Sequence, residues 1–204
     1  MREIETLEPA FDPEPAHRLG LVSLASDPVS SDEIRAVCAV PGTAIHETRI
    51  MNDDTITADS LRAMEARLTE AAGRLPPCER YDAAAFLCTS GARLIGAERV
   101  GEAIRAALPG AAVTDPMTAG LRACEAVGAR RIAVVTPYVA EVTEALVAGF
   151  EDGGLEVTRA ASFFVDSDRR VARIGAHALA RAAAQVIGEA DAVFISCTAL
   201  RTVD

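Results

Sequence analysis

The stretch Asp82-Ala-Ala-Ala-Phe-Leu-Cys88-Thr89-Ser90 returns later in the chain as Asp191-Ala-Val-Phe-Ile-Ser-Cys197-Thr198-Ala199. In each copy an Asp opens a run of apolar and small residues, and Cys-Thr follows six positions after it. A short apolar run of this kind reads as a strand buried on both faces, the pattern of a parallel sheet. Open parallel sheets bind their ligands beyond the carboxyl ends of the strands. Each Cys-Thr pair therefore stands where chemistry is expected.

Working outward, Arg18-Leu-Gly-Leu-Val-Ser23 matches Arg131-Ile-Ala-Val-Val-Thr136 at nearly the offset that separates the two cysteines. A repeated βαβ arrangement explains both matches. The expectation is an α/β protein of two pseudo-symmetric, Rossmann-like lobes with parallel sheets and an active site in the cleft between them. Residues 1–17 form an acidic arm carrying Pro9, Pro13 and Pro15, 18–115 the lobe with Cys88, and 116–204 the lobe with Cys197. Thr57 reads as the cap of a long helix with Leu61, Met64 and Leu68 on one face, ended by Pro76-Pro77. Further helices are expected over 91–107, 118–127, 139–150 and 170–187.

The composition narrows the function. The 204 residues are half hydrophobic and carry a net charge of −10, which disfavours binding to nucleic acid or to an anionic membrane surface. All twenty cationic residues are Arg, so Schiff-base chemistry on a lysine is excluded. Five cysteines without a CxxC pair suit free thiols in a reducing cytoplasm, and no segment reads as a leader or a membrane span. Neither zinc-type spacing nor a phosphate-binding glycine loop is present, and His17, His46 and His177 share no pattern.

Cys38, Cys78 and Cys124 lie inside or beside helical stretches and read as packing residues. Cys88 and Cys197 stand at strand ends, followed by hydroxyl residues and a helix or turn start. Backbone N–H groups there stabilise a thiolate or a bound carboxylate. Two thiols facing one carbon from opposite sides form an acid–base pair: one removes a proton or attacks, and the other returns a proton on the far face.

Cys88-Thr89-Ser90, Thr136-Pro137-Tyr138 and Ser196-Cys197-Thr198 together resemble the aspartate/glutamate racemase superfamily. The likeness is strongest to its branch of maleate cis-trans isomerases, arylmalonate decarboxylases and ectoine-utilisation racemase-like proteins, and it runs from about Arg18 to Arg201. The resemblance implies catalysis by Cys88 and Cys197 without a cofactor or metal, and binding of a substrate carboxylate by Thr89, Ser90, Tyr138 and Thr198. Maleate isomerases add one cysteine to the double bond, whereas arylmalonate decarboxylases have a small residue where Cys88 stands. Two cysteines therefore speak for isomerisation or racemisation of a small carboxylic or amino acid. Decarboxylation by Cys197 alone is the alternative, and a non-catalytic small-acid-binding protein is the alternative of another class.

Two departures from the family pattern qualify this expectation. Asp27 and Asp168 occupy places where the maleate isomerases carry Asn, which turns the expectation toward an amine-bearing acid, because an ionised Asp repels a second carboxylate and attracts an ammonium. Either Asp also reads as a loop or cap residue. Family members continue past the last strand, whereas this chain closes at Asp204, which reads as a shortened chain or as an edge covered by another subunit. A homodimer or higher homo-oligomer is the default expectation.

Overall fold

Each of the two sheets is built on one strand buried along most of its length. A computed structural model describes residues 4–78 and 80–203. The first sheet centres on β1 (His17–Leu24), flanked by β2 (Thr43–Ile50) and β3 (Ala83–Leu87), with β4 (Ala112–Thr114) beyond β3. The second centres on β5 (Arg131–Thr136), flanked by β6 (Glu156–Ser162) and β7 (Ala192–Ile195). All pairings are parallel. The halves thus repeat one arrangement, in which Arg18 to Ser23 and Arg131 to Thr136 are the central strands.

The Asp that opens each repeated run has a structural cause. Asp82 Oδ2 accepts the Arg18 N–H at 2.9 Å, and Asp191 Oδ2 accepts those of Arg130 and Arg131 at 3.0 and 2.8 Å. Each carboxylate ties the start of a flanking strand to the start of the central one. Hydrogen bonds from backbone N–H groups favour the ionised form and hold both carboxyls below the usual carboxylate range.

Helices α1 (Ser30–Cys38), α2 (Ala58–Arg62), α3 (Glu65–Ala72), α4 (Thr89–Ile95) and α5 (Ala97–Ala107) belong to the first half. Helices α6 (Pro116–Val127), α7 (Ala140–Asp152), α8 (Asp168–Val171) and α9 (Ala176–Val186) belong to the second. Three of the expected helices are interrupted. The helix opened by Thr57 breaks between α2 and α3 at Ala63-Met64, where Met64 N–H bonds only three residues back, to Leu61. The one expected over 91–107 divides at Gly96, whose φ of 98° lies where L-residues rarely go. The one expected over 170–187 is two helices separated by 172–175. Apolar spacing runs across all three breaks, so the hydrophobic period alone did not reveal them.

The core is continuous across both halves: Val22, Leu68, Phe86 and Ile104 from the first and Ile132, Leu146 and Phe150 from the second are all fully buried in one cluster. Burying each such side chain stabilises the fold by roughly 1.5–3 kcal/mol. Two polar ties reinforce the seam. Arg93 in α4 donates to the Ala145 carbonyl at 2.8 Å and pairs with Asp152, both in α7. A second tie joins Asp54 and Thr55 to Ser167 through an antiparallel bridge and a 2.8 Å bond from Ser167 Oγ to Asp54 Oδ2. Residues 4–14 form neither helix nor strand and expose Ile4, Leu7 and Phe11. Among the described residues no helix is long and apolar enough to cross a membrane.

Candidate active site

The carboxyl ends of β1, β3, β5 and β7 converge on one small cavity of about 10 Å³. It is lined by all eight residues singled out above: Asp27, Cys88, Thr89, Ser90, Tyr138, Asp168, Cys197 and Thr198. Leu24, Leu61 and Ala199 complete the wall. The space holds about one water molecule, so any substrate must enlarge it on entering. A far larger apolar groove of about 820 Å³ lies between α1 and α6, floored by Ala85 and Leu87 and walled by β7. It reaches Thr89, Cys197 and Thr198 from behind. Volume favours the groove, but it is the small cavity that both Cys88 and Cys197 line, which makes it the candidate active site.

Cys88 caps α4. Its extended backbone (φ −152°) lets Sγ accept the Gly91 N–H at 3.3 Å. Gly91 is needed for this approach, since a Cβ there would stand 2.9 Å from Cys88 Sγ and 2.8 Å from Met64 Cε. Burial pushes the Cys88 thiol up to about 12; the Gly91 N–H works against that rise, and the negative charges of Asp168 and Asp27 add to it. Cys197 sits instead in a turn closed by the Leu200 N–H to its carbonyl, with φ at 96°, a region costly for a residue bearing a Cβ. Burial raises its thiol as well. The Ala199 N–H and the Tyr138 hydroxyl favour the thiolate, whereas Asp168 and Cys88 oppose it. The two cysteines match in sequence but not in setting.

Tyr138 is buried and close to both cysteines. Its hydroxyl accepts a hydrogen bond from Ser196 Oγ at 3.2 Å. Burial, then the proximity of Cys197 and Cys88, raises its pKa well above the ordinary value, which keeps the phenol protonated and able to donate. The Thr198 hydroxyl lies 2.9 Å from the Leu87 carbonyl and 3.1 Å from Asp27 Oδ2, fastening the second cysteine turn onto the strand ends of the first half.

The two aspartates differ. Asp27 Oδ1 accepts the N–H groups of Val29 and Ser30 at 2.8 and 3.0 Å, capping the approach to α1, while Oδ2 faces Thr198. It lines the cavity, yet both its oxygens are engaged within the protein. Asp168 Oδ2 accepts from Ser26 Oγ at 2.7 Å and Asn52 Nδ2 at 2.8 Å. Burial raises its pKa, as do Asp27 and Asp54, against the pull of those two donors. Ser26 and Asn52 were not singled out from the sequence. Ser26 carries only its position before Asp27 as a signal, and Asn52 only its polar loop.

The remaining cysteines lie elsewhere: Cys78 donates to the Arg80 carbonyl, while Cys38 and Cys124 line the apolar groove. His46 packs edge-on against Tyr81. No group of His, Cys, Asp and Glu that could hold a metal ion occurs among the described residues.

Residues 81–204 match the family model described as arylmalonate decarboxylase. A search of curated proteins gives no match. Among solved structures, the maleate cis-trans isomerase of Nocardia farcinica bound to TRIS superposes with a TM-score of 0.81 at 23% identity, over 91% of this chain and 80% of that one. A cysteine-to-serine variant of that enzyme with a covalently bound succinylcysteine intermediate gives 0.78 at 24%, over 89% and 78%. A liganded arylmalonate decarboxylase with a glycine-to-cysteine and a cysteine-to-serine change gives 0.78 at 22%, over 92% and 80%. At these identities the likeness is one of fold.

Proposed function

Because this chain belongs to the arylmalonate decarboxylase family, we propose that it is a cofactor-independent isomerase or racemase of a small carboxylic or amino acid, working with Cys88 and Cys197. The observation that carries this reading is that both thiols line one cavity, with the Tyr138 hydroxyl beside them. In racemisation the Cys88 thiolate takes the proton from the carbon next to the carboxylate, leaving an enediolate. Cys197 S–H then delivers its own proton to the opposite face, so the thiol and thiolate exchange places. In cis-trans isomerisation the Cys88 thiolate instead adds to the double bond while Cys197 protonates the neighbouring carbon. Rotation about the resulting single bond and reversal of both steps give the trans acid. The place of Cys88 at the start of α4, with the Gly91 N–H on its sulfur, supports this order. The succinylcysteine of the Nocardia variant is a precedent for addition in a protein of this fold.

The substrate carboxylate is held in this reading by Thr89, Ser90, Tyr138 and Thr198, as hydroxyl or backbone donors. Accumulating negative charge on an enediolate is costly in a buried site unless such donors face it. The family description favours a second reading, decarboxylation of a substituted malonate with Cys197 as the proton donor. Proton NMR in D₂O on maleate, aspartate and glutamate enantiomers and an arylmalonate separates the two. Deuterium entering an α-carbon, or maleate becoming fumarate, with loss in both Cys88→Ala and Cys197→Ala, is the expected result. Turnover of the arylmalonate that survives Cys88→Ala transfers the assignment to decarboxylation.

A further inference from the structure

The two carboxylates of the cavity are not equivalent, and the difference points to the kind of molecule that enters. Asp27 is consumed by backbone N–H groups and Thr198. Asp168 is 7% exposed and anchored at Oδ2 by Ser26 and Asn52, while among the described residues Oδ1 accepts no hydrogen bond. That oxygen belongs to a residue lining the cavity, where an entering donor can reach it. No cation supplies one. Among the described residues neither aspartate is in a salt bridge with an Arg or His. Arg169, next in sequence, is exposed and pairs with Asp54. Arg49 is held by the Leu24 and Asp27 carbonyls and by Glu47.

We infer that Asp168 is a specificity-determining residue that selects a substrate carrying an ammonium group near its carboxylate, with Oδ1 as the acceptor. The inference rests on the cavity being the active site, as proposed above. A dicarboxylate entering this space meets two further negative groups with no cation to balance them. An amino acid brings the missing charge and the missing donors together, and Ser26 and Asn52 hold the carboxylate plane ready for it. The same charge has a second consequence. Asp168 opposes ionisation of both thiols, so a ligand that neutralises it also eases formation of the reacting thiolate.

Calorimetric titration of the full chain tests this with matched pairs: aspartate, in each enantiomer, against succinate, and glutamate against glutarate. In the wild type at least one amino acid should bind about tenfold or more tightly than its partner lacking the amine. Asp168→Asn should bring that ratio to one or below. Should Asp168→Asn fail to fold by circular dichroism, Ser26→Ala, which loosens the same carboxylate, should lower the ratio instead. Preference for the desamino partner, absence of binding in both pairs, or a ratio that survives the substitution overturns the inference. Survival in Asp168→Asn would mean that a group other than the Asp168 carboxylate recognises the amine. Amine-dependent binding without deuterium exchange removes the two-thiol reading but keeps this one; exchange without amine preference does the reverse.

Discussion

Cys88 is predicted to react with alkylating reagents in proportion to its small thiolate fraction. Burial lifts its thiol from an ordinary 9.0 to about 12. Three pKa units correspond to about 4 kcal/mol against the thiolate. Near neutrality the group is therefore a thiol. Around pH 8 its thiolate fraction falls to about one part in ten thousand, against about one in ten for an unshifted thiol. Because the pKa is raised, reactivity is lost at neutral pH and gained only as pH climbs. The assay is iodoacetamide labelling of the full chain, read at the Cys88 peptide by mass spectrometry, with free N-acetylcysteine as reference. Labelling should be about a thousandfold slower than the reference near pH 8 and should rise with a slope of one in log rate up to about pH 10.5. Shielding by the closed cavity lowers the whole curve without bending it. A plateau below about pH 9.5 would refute the reasoning, because it would mean that an unrecognised donor or cation already stabilises the thiolate.

Three further outcomes are expected. Gly96→Ala places a Cβ on a backbone with φ of 98° between α4 and α5, and should lower stability by about 1–3 kcal/mol in urea denaturation. Tyr138→Phe strands the Ser196 hydroxyl in a buried setting, costing about 1–3 kcal/mol on the same assay, and should slow turnover as well. Asp82 and Asp191 have depressed pKa values through their backbone N–H partners. Their stabilisation is therefore present above the unfolded carboxylate pKa of about 4 and is lost as pH falls through the folded value. An Asp82→Asn/Asp191→Asn double variant should melt lower near neutrality and show a flatter fall in melting temperature on acidification; an unchanged acid limb would rule the ties out as its source.

The strands, and the strand ends that meet at one cavity, were legible along the chain. A buried parallel strand needs an unbroken apolar run, and β1, β3, β5 and β7 each carry one with Cys, Thr or Ser at or just beyond its end. Thr57 as a cap was equally legible, since it rests on local backbone chemistry. Tertiary structure alone decided the rest. Asp82 and Asp191 open their runs because each reaches the neighbouring central strand, a contact invisible along the chain. The helix breaks at Ala63-Met64, Gly96 and 172–175 interrupt stretches that the apolar period crosses without a sign. Asp27 and Asp168 looked alike in sequence, yet one is spent on a cap and the other keeps an oxygen open, because Ser26 and Asn52 reach Asp168 from 142 and 116 residues away. The twin cysteines separate in the same manner, one at a helix start and one on a left-handed turn. Hydrophobic burial and backbone propensity are written residue by residue, whereas the charge around a buried group is set by whatever distant segments fold against it.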